Sequence, residues 1–96
     1  SYANLAEWLA KRGKTEETML YLKPALKADP ESSDIAYSAM IVYLLAEHTN
    51  QSLYWLERLA CGGYGITRLD RDPELQALRL DARYASIVAR CQSVGR

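Results

Sequence analysis

The sequence predicts an all-α domain of about six stacked, antiparallel helices. Three observations carry that expectation. Apolar residues recur at three- and four-residue spacing through most of the chain, the period of a helix with one buried stripe. Helix stops and starts separate these stripes, with Gly13, Asp29-Pro30, His48-Thr49-Asn50 and Gly62-Gly63 as the breaks. The pattern also repeats: a shift of 34 residues lays Leu5 on Ala39, Leu9 on Tyr43, Thr15 on Thr49, Thr18 on Ser52, Met19 on Leu53 and Leu22 on Leu56.

The first helix is expected over Tyr2 to Arg12, with Tyr2, Leu5, Ala6 and Leu9 on its apolar face. Gly13 suits a left-handed stop. Thr15 is placed to cap the second helix, and Glu16 and Glu17 favour its positively polarised first turn. Met19, Leu22, Ala25 and Leu26 form its stripe, and Asp29-Pro30 ends it. Pro24 removes a backbone donor and predicts a bend near Leu20 and Tyr21. After a polar connection at Glu31 to Ser33, the third helix is expected from about Asp34 to Glu47. It is apolar almost all round and so should be the most buried. Thr49 or Asn50 should cap the fourth helix, whose stripe is Leu53, Leu56, Leu59 and Ala60, and Gly62 to Gly65 end it. Further on, Asp72 caps and Pro73 opens a short helix. Asp81 caps a last one carrying Tyr84, Ile87 and Val88 inward.

Composition narrows the function. The 96 residues fit one small domain, and 49% hydrophobic content argues against disorder. Lysine plus arginine equals aspartate plus glutamate at 12 each, so the basic excess of a nucleic-acid module is missing. No apolar run approaches a membrane span. Residue 1 is Ser and nothing resembles a signal peptide, so the expectation is a cytoplasmic piece excised from a longer protein. One histidine and scattered carboxylates offer no converging set of titratable groups, so no enzyme activity, metal or cofactor is expected. Neither cysteine belongs to a Cys-x-x-Cys pair, which argues against zinc. His48 reads as a solvated turn residue. Gly62-Gly63-Tyr64-Gly65 lacks the strand and the Gly-Lys-Ser/Thr of a phosphate loop.

Cys61 ends the fourth helix and Cys91 the last. If helices alternate up and down, those two run parallel and the cysteines share one end. A disulfide is geometrically conceivable and would imply an extracytoplasmic location; two separate thiols are the favoured reading. The alternating charges at Arg68, Asp70, Arg71, Asp72, Arg79, Asp81 and Arg83 read as a solvated, self-paired surface. Trp8 lies beside the apolar face of the first helix and reads as a partly exposed contact.

A 34-residue helix–turn–helix period is that of the tetratricopeptide repeat, and the chain resembles that family residue by residue. Tyr2, Leu5, Ala6, Leu9, Thr18, Leu22, Ala25 and Pro30 occupy the pattern in a first unit, residues 1–30. Ala36, Ala39, Met40, Tyr43, Ser52, Leu56, Leu59 and Tyr64 occupy it in a degenerate second, residues 31–64, which lacks the opening aromatic, the Gly and the closing Pro. Residues 65–96 then hold Asp72, Pro73, Leu75, Leu78, Arg79, Asp81, Arg83, Tyr84 and Ile87, similar to the closing segment of many bacterial multi-repeat proteins. Such proteins often carry the repeats behind a kinase, cyclase or winged-helix domain.

The resemblance implies a right-handed superhelix with capping helices and a protein-binding role, as a scaffold or sensing appendage. It places the ligand-facing positions at Ala3, Glu7, Ala10, Lys11, Asp34, Tyr37, Ser38, Ile41, Leu44 and Leu45. Ala3 and Glu7 stand where a chaperone carboxylate clamp needs Lys and Asn, so that ligand is rejected. The groove reads as apolar, suited to a hydrophobic helix or extended segment, with Tyr37 as an anchor. Two alternatives stay open: burial of that surface by neighbouring helices, and self-association into a homo-oligomer.

Overall fold

The structure is a computed structural model that describes the backbone of residues 2–94, and their side chains except those at 2–4, 6, 7, 15, 93 and 94. Its described residues form seven α-helices: α1 (Tyr2–Lys11), α2 (Thr15–Ala28), α3 (Ser33–Leu45), α4 (Thr49–Cys61), α5 (Ile66–Arg71), α6 (Gln76–Arg79) and α7 (Ala82–Val94). A single 3-10 turn, Pro73–Leu75, joins α5 to α6. The chain is therefore all-α, and successive long helices pack antiparallel. Helix α1 packs on α2 and on α3, α3 on α4, and α4 on α7.

Helix α3 is the centre, as its composition demands. Ala36, Ser38, Ala39, Met40, Ile41 and Val42 are all buried. Its N-terminus is fixed by Ser32, whose Oγ accepts from the Ile35 amide at 3.3 Å, two residues ahead of the expected start. The α4 stripe of Leu53, Leu56, Leu59 and Ala60 is buried in full. Tyr84, Ile87 and Val88 of α7 join it in one apolar cluster with Leu69, Leu75 and Leu78. Ala10, Leu22, Ala39 and Val42 form a second cluster between α1, α2 and α3. On α1 the expected face is met in part: Leu9 is buried, and the side chains of Tyr2 and Ala6 lie outside those described. Ala10 is inside as well, because α1 packs on two neighbours, α2 and α3, while Leu5 is 39% exposed.

The two long turns are built alike. Gly13 has φ 80° and Glu47, thirty-four residues on, has φ 63°. In the first turn the amides of Gly13 and Lys14 donate to the carbonyls of Ala10 and Leu9; in the second, those of Glu47 and His48 donate to Leu44 and Tyr43. This geometry corrects two expected caps. Lys14 and His48 occupy the cap positions, without side-chain cap bonds, and Thr15 and Thr49 are already helical. Asn50 accepts instead from the Arg83 guanidinium of α7 at 2.7 Å. The Asp72 and Asp81 expectations hold: Asp72 accepts from the Glu74 amide ahead of Pro73, and Asp81 from the Arg83 amide.

Helix α2 runs unbroken through Pro24. Pro24 and Leu20 are both exposed, where water can meet the Leu20 carbonyl that proline leaves without its helical donor. Helix α5 is not anticipated by the sequence reading; its six residues carry one buried side chain, Leu69, too little for a periodic signal.

Helices α4 and α7 do run parallel, since Asn50 meets Arg83, Glu57 meets Arg90 and Cys61 meets Cys91. Here the favoured reading of the cysteines is overturned: they form a disulfide, with Cα atoms 4.6 Å apart. The helices end side by side in the same direction, which brings the two Cβ atoms within bridging range.

Candidate functional site

The C-terminal ends of α1 and α3 lie together and leave an apolar hollow of about 280 Å³. Ile41, Leu44 and Leu45 line it from α3, Lys11 from the last turn of α1, and Glu74 from the 3-10 turn. Ile41 is buried as its floor, Leu44 is half-buried, and Leu45 is 47% exposed at the mouth. Lys11 Nζ donates to Glu74 Oε1 at 2.6 Å, closing one side of the rim with an exposed ion pair. Such a pair is worth about 0–1 kcal/mol, so rearranging it to admit a ligand costs little.

Four of the ten sequence-predicted groove residues, Lys11, Ile41, Leu44 and Leu45, thus share one hollow. Of the remaining six, Ala10, Asp34, Tyr37 and Ser38 are not among its lining residues. Ala10 and Ser38 are buried, Asp34 is exposed in the first turn of α3, and the side chains of Ala3 and Glu7 lie outside those described. Tyr37 does not present a free ring. Its hydroxyl donates to Asp72 Oδ2, and its ring stacks on Tyr64 with centroids 6.0 Å apart. It joins α3 to the segment that carries Glu74. Glu74 itself was missed from sequence because its contact with Lys11 spans 63 residues, with no local pattern to signal it.

A second, smaller hollow of about 130 Å³ lies between the α2–α3 connection and α4. Arg58 crosses it, donating to the Pro30 carbonyl at 2.9 Å, pairing with Glu31 and lying over the Trp55 ring. Tyr54 is the main cause of the raised pKa of this exposed guanidinium. The alternating charges are self-paired only in part. Asp81 and Arg83 pair at 2.8 Å, and Arg83 holds the Asp81 carboxyl down at about 2. Asp70 and Asp72 instead accept tyrosine hydroxyls, from Tyr84 and Tyr37. Burial, then the bond to Asp70, pushes the Tyr84 hydroxyl up to about 12.

Trp8 is 53% exposed, with the Arg12 guanidinium 4.8 Å from its ring centroid. His48 is exposed and stacks on Tyr43 at 6.3 Å. Among the described residues, no group of three or more His, Cys, Asp or Glu side chains gathers as a metal site, and no helix is long and apolar enough to cross a membrane. No protein-family profile, characterised protein or solved structure matches the chain.

Proposed function

We propose that this chain is a helical-repeat, protein-binding module that holds an apolar segment of a partner against the α1–α3 face. In this reading residues 1–30 and 31–64 are two tetratricopeptide-like units and residues 65–96 the terminal pair. The observation that carries it is the apolar hollow between the ends of α1 and α3, lined by four residues expected to face a ligand.

The backbone supports the repeat component. Positive-φ residues recur at 13 and 47 with the same two amide–carbonyl bonds beside them. The second helices of successive pairs begin at Thr15, Thr49 and Ala82, spacings of 34 and 33. Thr18 and Ser52, also 34 apart, are both fully buried small polar residues bonded to carbonyls, those of Lys14 and Met40. Packing of α1 on α3, its neighbour but one, is what stacked helical pairs require.

A preformed hollow spares the domain most of the ordering cost of binding, so one inserted apolar side chain dominates the affinity. The module would serve as a scaffold or sensing appendage of a larger protein, and the joined cysteines favour an oxidising, extracytoplasmic setting over the cytoplasm. Peptide display against the immobilised chain tests the function. Enrichment of sequences sharing one leucine-like anchor is expected; a library with no enriched class contradicts it. Exposed Leu5, Trp8, Leu20 and Tyr54 favour a second reading, self-association. Sedimentation that stays monomeric from micromolar to millimolar chain removes that reading.

A further inference from the structure

We infer that the Cys61–Cys91 disulfide is a redox-operated clamp, whose reduction frees the C-terminal third of the chain from an α1–α4 body that stays folded. The bond joins residues 30 apart, so α5, the 3-10 turn, α6 and α7 as far as Cys91 lie inside the loop it closes. Helices α1, α2 and α3 keep a cluster of their own, Ala10, Leu22, Ala39 and Val42, to which no described residue of the C-terminal third contributes. Besides the disulfide, the third is tied to the body by the larger apolar cluster, in which Leu69, Leu75, Leu78, Tyr84, Ile87 and Val88 pack with residues of α3 and α4, and by a few polar bonds. Three of these, Lys11–Glu74, Asn50–Arg83 and Glu57–Arg90, lie on the surface, where such contacts hold weakly. Apart from the backbone itself, the disulfide is the covalent tie between the two.

The two cysteines differ in access. Cys61 is exposed at the end of α4, whereas Cys91 is 2% exposed. A thiolate of a dithiol reductant therefore attacks Cys61 Sγ. The Sγ–Sγ bond breaks, a mixed disulfide forms at Cys61, and Cys91 leaves as a thiolate that takes a proton from water. The second thiol of the reductant then attacks the mixed disulfide, releasing the Cys61 thiol and the oxidised reductant. Two electrons pass to the protein. Loss of the loop constraint enlarges the set of states open to the third, and α7 opens locally.

This inference is independent of peptide binding, and hydrogen exchange on the whole chain tests it. Exchange is followed by mass spectrometry for the oxidised chain, for the chain in dithiothreitol, and for a Cys61→Ser/Cys91→Ser variant. Amides of α5–α7 are expected to exchange about 100-fold faster or more after reduction. Those of α1–α3 should change by less than about threefold. The variant should match the reduced chain and ignore dithiothreitol. Unchanged protection of α7 on reduction overturns the inference, and so does loss of protection throughout the chain together, which would make the bond a staple of one cooperative unit.

Discussion

Glu47 sits at φ 63° in the α3–α4 turn, where the matching position of the α1–α2 turn has glycine. A side chain in the left-handed region costs roughly 1–2 kcal/mol. Glu47→Gly is therefore expected to raise stability by about 1 kcal/mol in urea unfolding, the extra freedom of glycine in the unfolded chain offsetting part of the relief. A loss of stability would mean that the Glu47 side chain contributes more than its backbone costs. Tyr84 offers a pH test. Its hydroxyl is raised from 10.0 to about 12 by burial and by donation to Asp70, so the fold favours the protonated form. The stability this contributes is complete below pH 10.0 and is lost as pH rises through about 12. The ultraviolet titration difference between the native chain and Tyr84→Phe should show a step near 12; a step near 10.0 would contradict the bond.

Helix α2 is the element whose sequence and structure pull against each other. Pro24 lies inside an unbroken helix, on its exposed side. Restoring the donor and removing the ring should stabilise it, and Pro24→Ala is expected to add about 1–3 kcal/mol by thermal or urea unfolding. No gain would show that the helix already adapts fully. The long helices were legible because each has one apolar stripe and a clear stop, and α3 because its run IAYSAMIVYLLA has hardly a polar face. The helix starts at 15 and 49 were placed by side-chain capping chemistry, but a positive-φ residue followed by a bond back to Leu9 or Tyr43 sets them through the backbone. Segment 65–79 was only half legible: Asp72-Pro73 announces a helix start, but α5 and α6 are too short for periodicity to register. The cysteine pairing needed the parallel course of α4 and α7, which sequence supports only conditionally.

At the scale of the whole molecule, the radius of gyration is 12.8 Å, close to the roughly 12.5 Å expected for a compact chain of this length. Its seven described helices thus close into a compact body that leaves an apolar hollow between the ends of α1 and α3. Lys11, Ile41, Leu44 and Leu45, named from sequence, line that hollow, whereas the lip that Glu74 supplies and the tie of Tyr37 to Asp72 had no signal in the sequence. Those contacts join segments 35 and 63 residues apart, a separation that local pattern does not encode. The central claim is that this hollow receives an apolar side chain of a partner. Leu45 is its most accessible apolar wall, so Leu45→Glu should disturb the mouth and spare the core. The most direct measurement is the affinity of a display-selected peptide for the native chain and for Leu45→Glu, with circular dichroism confirming equal helicity. The account predicts at least about a tenfold loss, since replacing a buried leucine contact with a carboxylate forfeits roughly 1.5–3 kcal/mol. Equal affinity for a folded Leu45→Glu chain would contradict it.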